Sequence, residues 1–177
     1  MIYRRGTPGL SRLANPGLRK TDSRGERNQE TLIWFWHDCR RTSGGGYQEG
    51  ETIADIFLVD DEEFIIELYR DILESKGHKV VAVAGDGEEA VRKYKGLGEK
   101  PVIVIMDQRM PVKDGVTATQ EILTFDPDAK ILFGSADLQV KSDALRAGAK
   151  DFLLKPFRIE ALLKAIEELE SEQVTVS

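Results

Sequence analysis

From Thr52 onward, apolar runs of strand length alternate with longer stretches whose apolar residues recur at helical spacing. That alternation restricts the possible folds more than any other feature of the chain. Ile53 to Val59, Lys79 to Val83, Val102 to Met106, Ile131 to Phe133 and Phe152 to Leu154 read as five strands. Between and after them, Glu62 to Ser75, Asp86 to Tyr94, a segment from Asp114 to Asp126-Pro127, Leu138 to Ala147 and Ile159 to Leu169 read as five helices. In the first helix Phe64, Ile65, Leu68, Ile72 and Leu73 are expected to share one side. Asp86 with Glu89 three residues on has the form of a capping box. The continuous apolar run in the third strand is the pattern of a parallel strand covered on both faces. One parallel sheet between two helical layers is the predicted architecture.

The 177 residues suffice for one such domain and an appendage, divided here as an extension over 1–51, a domain over 52–172 and a tail over 173–177. The extension holds 8 of the 16 glycines, including Gly44-Gly45-Gly46, and little periodic apolar pattern. Its exception is Leu32-Ile33-Trp34-Phe35-Trp36, which carries both tryptophans of the chain. Charge divides unevenly too. Residues 1–51 carry 9 basic and 6 acidic side chains, net +3, whereas 52–177 carry 16 and 25, net −9. An acidic globule is repelled by phosphate backbones, so direct nucleic-acid binding is not expected. The single cysteine, Cys39, excludes an internal disulfide and a cysteine-built metal site. With no apolar run long enough to span a bilayer and no secretory leader pattern, the expected setting is the cytoplasm, without membrane contact.

In a sheet of this kind ligands sit beyond the carboxyl ends of the strands. The first strand ends in Asp60-Asp61, the third in Asp107, the fourth in Ser135 and the fifth in Lys155. Clustered carboxylates raise one another's pKa and require a counter-charge. A divalent cation supplies it, and an oxygen-only donor set suits Mg²⁺. Lys155 adds an ammonium for a phosphoryl oxygen and Ser135 a hydroxyl donor. The set is suited to a site where Asp107 attacks phosphorus and becomes transiently phosphorylated. Each element taken alone has a simpler reading: Asp60-Asp61 as a helix cap, Ser135 as a local cap, Lys155-Pro156 as a turn.

As an ordered set, these residues resemble the receiver domain of two-component response regulators. The resemblance runs through Ile56-Phe57-Leu58-Val59-Asp60-Asp61-Glu62, Asp86-Gly87-Glu88-Glu89-Ala90 and Val104-Ile105-Met106-Asp107-Gln108-Arg109-Met110-Pro111 with Asp114-Gly115. It ends in Gly134-Ser135-Ala136, Ala147-Gly148-Ala149-Lys150-Asp151 and Phe152-Leu153-Leu154-Lys155-Pro156-Phe157. It implies a flavodoxin-like doubly wound (βα)5 sandwich with parallel sheet order 2-1-3-4-5. By the same resemblance Asp107 is the phosphoacceptor, and Asp60, Asp61, Asp107 and the backbone carbonyl of Arg109 hold Mg²⁺. Lys155 and Ser135 serve the acyl phosphate, and Ser135 with Phe152 forms a switch. A histidine kinase or phosphotransfer protein is the implied donor. The competing reading of Phe152 is an ordinary core aromatic.

Two departures from the family pattern carry expectations of their own. The interval from Ser135 to Gly148 is short, which predicts a reduced fourth helix or leading loop. Arg109 puts a long cation two residues after Asp107, where it is expected to modulate phosphate turnover or donor choice. With only Ser171 to Ser177 after the last helix, output is expected through protein contacts, to an effector or a second copy, at the face of the fourth helix, fifth strand and fifth helix. The alternatives are a phosphorylation-independent interaction module and, more weakly, a Mg²⁺-dependent phosphatase, since Asp107-Gln108-Arg109 lacks a second acid for the leaving group.

Overall fold

A computed structural model describes residues 53–100 and 103–171. The tryptophan-containing segment, Cys39 and the 173–177 tail lie outside the described residues. Five strands, β1 (Asp55–Val59), β2 (Lys79–Ala84), β3 (Ile103–Asp107), β4 (Ile131–Ser135) and β5 (Asp151–Leu154), form one sheet. Its order is β2-β1-β3-β4-β5, every pair parallel, as expected. Five helices connect and follow them: α1 (Glu63–Ser75), α2 (Gly87–Gly96), α3 (Gly115–Phe125), α4 (Lys141–Ala147) and α5 (Ile159–Ser171).

The apolar runs are continuous because the sheet is covered twice. Successive strand side chains point to opposite faces. Thus Ile56, Leu58, Ile103, Ile105 and Leu132 pack against α1 and α5, while Phe57, Val59, Val104, Met106, Ile131 and Phe133 pack against α2, α3 and α4. Three of the central strand residues, Ile103, Val104 and Met106, are fully removed from solvent.

In α1 the buried face is Ile65, Ile66, Leu68, Tyr69, Ile72 and Leu73. Phe64, expected among them, is 52% exposed instead. An apolar residue at the rim of a helical stripe has no fixed side, and here Ile65 and Ile66 take the inward positions of the first turn.

Helix starts are set by side chains. Asp86 accepts the Glu89 amide at 2.7 Å, and Asp114 accepts the Thr117 amide at 2.8 Å. Glu89 reaches back one residue further than a capping box requires, accepting the Gly85 amide at 2.9 Å. The predicted fourth helix is divided: a 3-10 turn over Leu138–Val140 precedes the seven residues of α4. Gly148 then ends α4 at φ 105°, where an added Cβ would press on Leu123. Among the described residues no helix is long and apolar enough to cross a membrane.

Candidate functional site

All four strand ends singled out in the sequence meet at one edge of the sheet. Asp107 and Ser135 are the last residues of β3 and β4, Asp60 follows β1 and Lys155 follows β5. Lys155 donates from Nζ to Asp60 Oδ2 at 2.8 Å and to Asp107 Oδ1 at 2.6 Å. Its side chain is 14% exposed, and those of the two carboxylates 5% and 4%. These are buried ion pairs that share one cation, so removal of Lys155 would leave two buried acids without a counter-charge.

The remaining carboxylate oxygens are fixed by backbone. Asp60 Oδ1 accepts the Glu62 amide at 3.0 Å, and Asp107 Oδ2 accepts the Arg109 amide at 2.6 Å. Asp60 is therefore not the cap of α1, since the N-cap residue is Glu62 and no side chain caps that end. Gly115 allows the β3–α3 turn to close, because a Cβ there would collide with the Asp107 carbonyl.

Burial pushes the Asp107 carboxyl above the ordinary carboxylate range; Lys155 draws it down, and Asp60 adds to the rise. Burial alone would lower the pKa of the Lys155 ammonium, but Asp60 and Asp107 hold it above the ordinary lysine range. One cation thus serves two acids.

Carboxylate oxygens of Asp60, Asp61 and Glu62 lie within 4.8 Å of one another. All three are hard oxygen donors, a set that fits Mg²⁺; Asp107 is not in this group and is joined to it through the Lys155 ammonium that it shares with Asp60. Glu62 was not singled out from the sequence, although it directly follows the paired acids; an exposed-looking acid at a helix start gives no separate signal.

Ser135 is 2% exposed, and its Oγ accepts the Asp137 amide at 3.1 Å. The capping residue of the following turn is Asp137, which accepts the Gln139 amide at 2.9 Å. Phe152 is buried and stacked on Phe133, with centroids 6.1 Å apart and planes 13° apart. The Lys141 ammonium lies 5.9 Å from the Phe152 ring centroid. The Arg109 guanidinium, on a side chain 69% exposed, approaches Asp137 Oδ2 at 4.0 Å, joining the loops that follow β3 and β4.

The sequence pattern of the response regulator receiver domain matches residues 56–167. The chemotaxis protein CheY of Bacillus subtilis is 44% identical over 115 residues, covering 64% of this chain and 94% of that protein. CheY of Thermotoga maritima is 41% identical over 116 residues, covering 64% and 95%. Among solved structures, a chain of the CheX–CheY–BeF3–Mg²⁺ complex from Borrelia burgdorferi superposes with a TM-score of 0.63 and 34% identity, over 72% of this chain and 96% of that one. The response regulator TrrA of Thermotoga maritima, in complex with Mg²⁺ and BeF, gives 0.60 and 32%, over 66% and 99%.

Proposed function

The chain belongs to the response regulator receiver domain family and is a phosphorelay receiver, and from that premise we propose that Asp107 is its phosphoacceptor, served by Lys155 and Ser135. The observation that carries this reading is the Lys155 ammonium bridging Asp60 and Asp107 at a buried sheet edge.

A carboxylate oxygen of Asp107 attacks phosphorus of the donor, a phosphohistidine of a histidine kinase or phosphotransfer protein. The bond from phosphorus to the donor nitrogen breaks, and its electron pair leaves with that nitrogen, which takes up a proton. The product is an acyl phosphate on Asp107. Lys155 then exchanges its Asp107 oxygen for a phosphoryl oxygen, and Ser135 donates its hydroxyl to another. Attack of water on phosphorus returns the carboxylate and releases inorganic phosphate.

Asp60, Asp61 and Asp107, together with the Arg109 carbonyl, are the proposed ligands of Mg²⁺, which supplies charge neutralisation for the phosphoryl oxygens. The relatives solved with Mg²⁺ and a beryllofluoride support this assignment. No turnover of an external substrate is expected. Output runs through protein contacts at the α4, β5 and α5 face, to an effector or a second copy. Residues 52–172 are the receiver unit in this reading.

Incubation with Mg²⁺ and a small acyl-phosphate donor should add about 80 Da to the chain. The adduct should be absent from Asp107→Asn; an unlabelled wild type, under conditions that label another receiver, overturns the assignment.

A second reading, an interaction module whose binding ignores phosphorylation, draws support from Phe152, which is already packed inward on Phe133. Equal partner affinity before and after stoichiometric phosphorylation would favour it.

A further inference from the structure

The acids that hold the Lys155 ammonium account for only one end of a long, flexible side chain. Its methylene stem runs past Gly134, where an added Cβ would stand 3.3 Å from Lys155 Cε and 3.7 Å from the Phe157 ring. Phe157 in turn stacks on Tyr69 of α1, with centroids 5.9 Å apart and planes inclined by 19°. Tyr69, Phe157, Gly134 and Lys155 line one narrow cleft together with Asp60 and Asp107. Tyr69 is buried, and it belongs to the α1 and α5 side of the core.

We propose that Tyr69 is a positioning residue for Lys155: its ring, backed by Phe157, closes the apolar side of the lysine stem and keeps the ammonium on the line between Asp60 and Asp107. A lysine side chain is rich in rotamers, and it must be restrained if its charge is to meet a phosphoryl oxygen at one place. Gly134 supplies the near wall of that restraint by lacking a side chain. The stacked rings supply the far wall. The ring does this work, so the hydroxyl is dispensable.

This inference rests on the assignment of Lys155 to the acyl phosphate, and the test separates the two. Wild type, Tyr69→Phe, Tyr69→Leu and Phe157→Leu are phosphorylated with a small acyl-phosphate donor at saturating Mg²⁺, over a range of donor concentrations. The maximal rate should fall on the order of tenfold in Tyr69→Leu and stay near wild type in Tyr69→Phe. Mg²⁺ affinity should hold within about twofold in both, because the oxygen donors are untouched. Phe157→Leu, which removes the backing ring from the segment between β5 and α5, should reproduce the loss. The slowly exchanging ammonium signal of Lys155 in nitrogen-15 spectra, assigned by its absence from Lys155→Arg, should broaden in both leucine variants.

A folded Tyr69→Leu with the wild-type maximal rate overturns the proposal, as does a Tyr69→Phe slowed equally. If Tyr69→Leu does not fold, a folded Phe157→Leu at wild-type rate has the same force. An unlabelled wild type would instead remove the phosphoacceptor assignment itself.

Discussion

Lys155 Nζ stands 2.6 Å from Asp107 Oδ1 and 2.8 Å from Asp60 Oδ2, partners 48 and 95 positions away in the chain. A single ammonium therefore ties the ends of β1, β3 and β5 together. Replacing Lys155 with Ala leaves two buried acids facing each other. The expected loss is about 3–5 kcal/mol of stability at neutral pH, as for other broken buried pairs. Mg²⁺ should restore part of it by binding only the folded state. Denaturant unfolding with and without Mg²⁺ measures both effects, and a Lys155→Ala variant as stable as wild type without the ion would contradict the burial argument.

Asp107→Asn is expected to act in the opposite direction. The Asp107 carboxyl titrates above its ordinary value in the folded chain because burial outweighs the attraction of Lys155. A raised folded pKa means that the favourable contribution is complete below the unfolded value and disappears as pH rises through the folded one. At neutral pH the ionised Asp107 therefore costs stability, and the neutral amide removes that cost. In the absence of Mg²⁺, Asp107→Asn should unfold at higher denaturant than wild type near pH 7, with the gap closing below about pH 4. A gap of opposite sign near pH 7 would show that Lys155 dominates.

The placement of this site was legible because strand ends are among the few positions that a period-two pattern locates well. Asp107 closes an apolar run whose length is bounded by the sheet, and Lys155 follows a run that ends before Pro156. Sheet order followed from the family resemblance rather than from the runs themselves. What stayed hidden depends on rotation and reach. Phe64 lies at the margin of the α1 stripe, where a rotation of the helix decides its side. Tyr69 is not among the residues that the helical spacing sets on the buried side of α1, and only the folded chain sets its ring against Phe157 in the cleft that Lys155 lines. The shortened interval after Ser135 signalled a reduced helix, but not that Asp137 would cap a separate 3-10 turn.

Val112 is a β-branched residue at φ 64°, with its side chain 79% exposed, in the loop between β3 and α3. The left-handed region costs such a residue about 1–2 kcal/mol, and nothing is gained from burying it. Asn tolerates that conformation far better. Val112→Asn should raise stability by about 0.5–1 kcal/mol, seen as a shifted denaturant midpoint at constant slope. A midpoint moved downward would mean that the valine contributes to the fold through contacts its exposure does not suggest.

Arg109 and Asp137 approach at 4.0 Å from the loops following β3 and β4, at the sheet edge that holds Asp107 and Ser135. With Asp107 as the proposed phosphoacceptor, these loops are proposed to screen its acyl phosphate from water. The contact is solvated, so its coupling is worth about 0.2–1 kcal/mol, or roughly a 1.4- to fivefold effect on any rate it controls. Arg109→Ala is expected to shorten the lifetime of the phosphorylated chain by about that factor, measured as decay of the mass adduct after the donor is removed. Asp137→Asn should shorten it less, because the amide can still cap the following turn. If the two residues act as one latch, the double variant decays no faster than Arg109→Ala alone; multiplied effects would assign them separate roles. High salt should shrink the wild-type advantage while leaving the Arg109→Ala lifetime almost unmoved, since screening removes only what the guanidinium contributes.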